Sequence, residues 1–137
     1  MAEPHFIKAS ASGPSSSGSL LVSFKIAGLG DTVTTTITAS ADATAVYACM
    51  NRGGNFPNDP KKTEVSGPVE ASGEFTSGKN GQITRMLTLN PPATTLECPG
   101  GQVMVLVSVS YTNVQVFETN AGTESIPGTF DRIFFDI

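Results

Sequence analysis

From Leu20 to Ala27 the chain alternates, with Leu20, Val22, Phe24 and Ile26 on one side and Leu21, Ser23, Lys25 and Ala27 on the other. A period of two fits an extended strand with one buried face, because successive side chains leave a strand on opposite sides. Val33, Thr35, Ile37 and Ala39 repeat the pattern with threonines between them. Further strands are expected over His5–Ala11, Ala43–Met50, Thr63–Glu70, Ala71–Thr76, Gln82–Leu89, Val103–Tyr111, Val114–Thr119 and Thr129–Ile137. Turn residues separate them at Gly13–Gly18, Gly28–Asp31, Pro91-Pro92, Asn120–Gly122 and Ile126–Gly128. Roughly nine short strands at this spacing, without an amphipathic helix, predict an antiparallel immunoglobulin-like β-sandwich. A jelly roll or a small barrel is the alternative.

Composition agrees. Only 15% of the 137 residues are charged, and Thr, Val and Ser are abundant, which suits pleated strands better than helices. Apolar residues make up 39%, too many for a disordered chain and enough for one domain with its own core. That domain is expected to span 3–137, with Met1-Ala2 reading as an expression start. Val103–Tyr111 is the most apolar run and the expected central strand, with Val103, Val105, Val107, Val109 and Tyr111 on one face. Asn80-Gly81 predicts a tight type I′ hairpin. Arg85 falls on an apolar face, so its charged end is expected at the rim.

The chain holds two cysteines, Cys49 and Cys98. Their 49-residue separation is far from a C-x-x-C redox pair. Each borders a turn-rich loop, so a single structural disulfide is expected. Such a bridge implies a secreted, extracellular protein whose signal peptide is absent from this sequence. Ser40–Cys49 looks like the late strand of an antibody variable domain. There, however, this cysteine would be the second of its pair, and a tryptophan would pack on the bridge. Here Cys49 comes first and the chain has no tryptophan.

Catalytic residues are expected to be none. The one histidine, His5, sits in an expected edge strand near the start of the chain. An amino-terminal copper site there fails because Pro4 has no N–H to deprotonate. The 12 acidic residues are dispersed and show no calcium-loop spacing. Gly28-Leu-Gly30 lacks a phosphate-binding spacing. No metal and no cofactor are therefore expected. A net charge of −4 without a basic stripe argues against nucleic acid. No apolar run approaches the roughly 20 residues of a membrane span.

Surfaces remain. The loop after Cys49 holds Asn51, Arg52, Asn55, Phe56, Asn58, Lys61 and Lys62; Gln102, in the second loop, would join it if the bridge forms. A polar loop with one aromatic on a rigid scaffold is a common form of binding site. The structural alternative is that Phe56 folds back onto the core. The expected function is a secreted non-enzymatic module binding an extracellular glycan or protein through this rim. Its expected state is a monomer or weak homo-oligomer. Two alternatives are a protease inhibitor presenting Arg52 or Met50 on a braced loop, and a self-assembling extracellular subunit exchanging edge strands.

Several segments carry a resemblance along nearly the whole chain. They are Glu3–Phe6, Val22–Lys25 with Gly28–Asp31, Tyr47–Cys49 with Asn51–Gly54, Lys79–Ile83, Cys98–Gln102 and Ser110–Asn113. In these the chain resembles a family of small secreted bacterial-type single-domain β proteins of uncharacterised function. The resemblance implies export and a single domain, and brings no activity or catalytic residue with it.

Overall fold

The computed structural model describes residues 3–137, so the expected expression start at Met1-Ala2 lies outside the described residues. Eight strands follow in order: β1 His5–Ser12, β2 Leu20–Ala27, β3 Thr34–Asn51, β4 Lys62–Thr76, β5 Ile83–Leu89, β6 Gln102–Glu118, β7 Gly122–Ile126 and β8 Phe130–Ile133. No helix occurs among the described residues. One antiparallel sheet has the order β1-β2-β5; the other runs β4-β3-β6-β7, with β8 also paired to β6. The two sheets bury one core between them, so the chain is a β-sandwich.

The core is large against small. Leu20, Val22, Phe24 and Ile26 enter from β2, all at most 1% exposed. They meet Ala39, Ala41, Ala43 and Ala45 of β3, whose small side chains leave room for them. Phe24 meets Phe75 of β4 edge to face, centroids 5.7 Å apart. Burial of each large side chain contributes about 1.5–3 kcal/mol.

The strand count falls to eight because breaks expected from sequence are bridged. Ser40–Asp42 and Glu70–Ala71 do not interrupt their strands; β3 and β4 pair continuously from Thr34↔Thr76 to Ala48↔Lys62. Thr112–Asn113 is likewise a bulge inside β6, where Ala41 faces both Asn113 and Val114. Asn113 adopts φ 52° there, and its amide donates to Asp42 Oδ2 at 2.8 Å. The extra residue switches the buried set from Val107, Val109 and Tyr111 to Val114, Val116 and Glu118.

Four further expectations need correction. Val103 is exposed, because a second register shift between Val46 and Tyr47 pairs Tyr47 with Leu106 and turns Leu106 towards the core. Asn80-Gly81 is not a hairpin turn, since β4 and β5 lie in different sheets. Only Gly81 has positive φ, at 75°, whereas a type I′ turn needs it at both central residues. Gly81 instead packs on the β2–β3 loop, its carbonyl accepting from Leu29 N–H at 3.1 Å. At the carboxyl end, the strand expected over Thr129–Ile137 shortens to β8, while Gly122–Ile126, between and overlapping the two expected turns, forms β7. Within the expected central run, Ser108–Tyr111 lies between β3 and β8, whereas Val103–Leu106 pairs with β3 alone.

Candidate functional site

Cys49 and Cys98 form the bridge, with Cα atoms 5.5 Å apart. It sits where β3 ends and β6 begins, because Cys49 pairs with Met104 and Asn51 with Gln102. The two flanking loops therefore lie side by side. Arg52 N–H donates to the Gly101 carbonyl at 3.3 Å. Gly101, at φ 81°, forms the turn in which Gln102 N–H reaches the Pro99 carbonyl at 3.1 Å. From the other side, Lys61 Nζ donates to the Glu97 carbonyl at 2.8 Å. These bonds brace both strands of the rim independently of the disulfide.

The loop between β3 and β4 is folded, not open. Asn51 N–H donates to the Asn55 carbonyl at 2.8 Å, and Gly54 N–H to the Asn51 carbonyl at 2.9 Å. That turn throws Phe56 back onto Phe135, edge to face, centroids 5.3 Å apart. Phe135 is itself held by β8, which pairs with β6, and by Phe134 N–H on the Val107 carbonyl at 2.7 Å. Phe56 thus caps the carboxyl-terminal segment and is half-buried.

A cavity of about 370 Å³ opens beside it, lined chiefly by Phe56, Asn58, Asp59, Lys62, Asp136 and Ile137. Of the expected site residues, Phe56, Asn58 and Lys62 meet here. Asn51 and Gln102 are half-buried in the ladder beside the bridge. Arg52, Asn55 and Lys61 are exposed along the rim and do not line the cavity. Asp59 and Asp136 join Phe56, Asn58 and Lys62 at the cavity, although no sequence motif marks either. Asp59 reads as an ordinary turn residue, and Asp136 stands 77 positions away (136 − 59). The one available signal was Phe134-Phe135, an aromatic pair that a short chain would not leave in solvent.

The cavity presents two carboxylates, one ammonium, one amide and an aromatic ring. That set can pair with hydroxyls, amides or a charged group while apolar surface lies on Phe56. His5 is at the opposite end of the sandwich, its Nδ1 on the Glu3 carbonyl at 2.8 Å. No group of three metal-ligating side chains occurs among the described residues. No helix among them is long and apolar enough to cross a membrane. No family model, curated protein or solved structure matches this chain.

Proposed function

We propose that this chain is a secreted, non-enzymatic binding module that takes an extracellular glycan at the rim beside Cys49–Cys98. The observation that carries this reading is the cavity of about 370 Å³ at Phe56. Its size lies near the lower end of the roughly 300–1,000 Å³ usual for ligand pockets. A sugar ring offers an apolar C–H face and a rim of hydroxyls. Phe56 suits the first, and Asp59, Asp136 and Asn58 suit the second. Bracing by Arg52–Gly101 and Lys61–Glu97 supports preorganisation, which lowers the ordering cost of binding.

The strand order adds an architectural proposal. Orders 1-2-5 and 4-3-6-7 correspond to A-B-E and C′-C-F-G of an immunoglobulin-like sandwich. On that reading the proposed site lies at the C–C′ end and not at the B–C and F–G loops used by antibodies. Kinship with small secreted bacterial-type β proteins rests on the sequence motifs alone, and the bridge supports an oxidising compartment.

The test is a glycan array comparing the native protein with Phe56→Ala and with Asp59→Asn/Asp136→Asn. Both variants are expected to weaken captured glycans by about tenfold or more, which is about 1.4 kcal/mol. An array without a hit, or hits retained equally by both variants, would sink the assignment.

A further inference from the structure

The free edges of the two sheets are not alike. β1 carries Lys8 and a register shift beside exposed Ile7. β4 places Glu64, Pro68, Glu70 and Glu74 along its length. β5 has Arg85, β7 has Glu124, and β8 has Asp131 and Arg132. Charges, prolines and bulges of this kind discourage edge-to-edge pairing.

One stretch lacks charges and prolines, and its one register shift falls at its end, beyond Leu106. β7 covers β6 from Val114 to Glu118, and β8 covers Ser108 to Tyr111. Phe134 and Phe135 N–H then reach the Val107 carbonyl, and the chain leaves the edge to meet Phe56. Gln102-Val-Met-Val-Leu106 pairs with β3 on one side and with no strand on the other. Val103 is 36% exposed and Met104 is 46% exposed. The edge borders a groove of about 430 Å³ lined by Val105, Leu106, Phe134, Phe135, Ser16 and Ser17, with no charged side chain among them.

The backbone there is set for a further strand. Cys49 N–H points away from β6, donating to the Lys61 carbonyl at 2.8 Å. Cys49↔Met104 is therefore a non-hydrogen-bonded pair of the ladder. Met104 in consequence turns its own N–H and C=O to the open edge.

We propose that a second copy of this chain occupies this edge, Gln102–Leu106 pairing antiparallel with itself about a two-fold axis at Met104. The segment is self-complementary in that register. Met104 faces its counterpart and exchanges both backbone bonds with it, Val103 faces Val105, and Gln102, whose N–H stays on the Pro99 carbonyl, faces Leu106. No charge opposes its like, as an isologous contact requires. A stable interface buries about 1,200–2,000 Å² in total. A five-residue ladder with its flanking side chains offers less, so the dimer is weak and forms with concentration.

Sedimentation velocity from micromolar to millimolar protein tests this, on the native chain, Met104→Lys and the control Phe117→Lys. Phe117 is as exposed, at 47%, but stands on the covered half of β6. The expected result is a monomer–dimer equilibrium, weakened by about tenfold or more in Met104→Lys and unchanged in Phe117→Lys. Thermal melts and intact mass check that both variants fold with the bridge formed. A native chain monomeric throughout, Met104→Lys dimerising like the native chain, or Phe117→Lys losing the dimer would each overturn the proposal.

Discussion

Two side chains show how polar groups are accommodated in this core. Glu118 is fully buried and is held by Thr35 Oγ1 and by the Asn120 and Ala121 N–H groups, closing the β6–β7 turn. Tyr111 is also fully buried. Its hydroxyl donates to the Gly18 carbonyl at 2.7 Å and so ties β6 to the β1–β2 turn. Burial, and secondarily the charge of a nearby ionised Tyr47, holds the Tyr111 hydroxyl protonated well above the usual tyrosine range. Folded Tyr111 therefore keeps its proton where the unfolded chain loses it. Its contribution is fully present below pH about 10 and is lost as pH rises beyond that. Tyr111→Phe is expected to cost about 1–2 kcal/mol at neutral pH, since the Gly18 carbonyl loses its donor. The variant should also lose stability less steeply above pH about 10. Urea melts across neutral and alkaline pH measure both effects. Identical alkaline slopes in the two proteins would show that Tyr111 is not the group responsible. Burial also raises Tyr47, whose hydroxyl donates to the Pro92 carbonyl at 2.7 Å, so part of the slope remains in the variant.

The elements were legible in the sequence where a single period governed a whole strand. Leu20–Ala27 shows this plainly: the alternation there is the observed burial pattern, residue by residue. It was less legible in β6, because two register shifts change which parity faces inward. A strict period therefore splits Val103–Tyr111 from Val114–Thr119 and mistakes the face of Val103. Asn113 is the residue that joins the halves. Its left-handed backbone is tolerated by Asn, whose short amide also reaches Asp42. Deleting Asn113 should be far more damaging than replacing it. Without the extra residue, the strand beyond it slips by one, and Val114, Val116 and Glu118 turn outward. The deletion is expected to abolish cooperative folding, while Asn113→Gly should stay within about 1 kcal/mol of the native protein. Circular dichroism with thermal melting distinguishes the two. A deletion variant that melts like the native chain would mean that the bulge does not set the register. The candidate site was half legible for a related reason. Phe56, Asn58 and Lys62 lie within one loop, whereas Asp136 arrives only through β8 docking on β6.

At the scale of the whole molecule, the sandwich core and the rim depend on different things. The core cluster draws on both sheets and does not include the cysteines. The bridge instead closes a 49-residue span that contains β4 and β5 and returns to β6. Restricting the unfolded chain over that span is worth about 4 kcal/mol. For a domain of this size, that corresponds to a melting point roughly 10–15 °C lower when it is lost. Cys49→Ala/Cys98→Ala should therefore still fold, with the core intact, but melt lower by that amount. The loss should also be uneven. Hydrogen exchange is expected to quicken at Asn51–Lys62 and Cys98–Met104, where the remaining ties are Arg52–Gly101, Lys61–Glu97 and Phe56–Phe135. Amides of Phe24, Ile26 and Val116, in the middle of the sheets, should keep their protection relative to global unfolding. Equal loss of protection everywhere would mean that the bridge supports the core itself. An unchanged melting point would mean that the unfolded chain is already compact over this span without the covalent link.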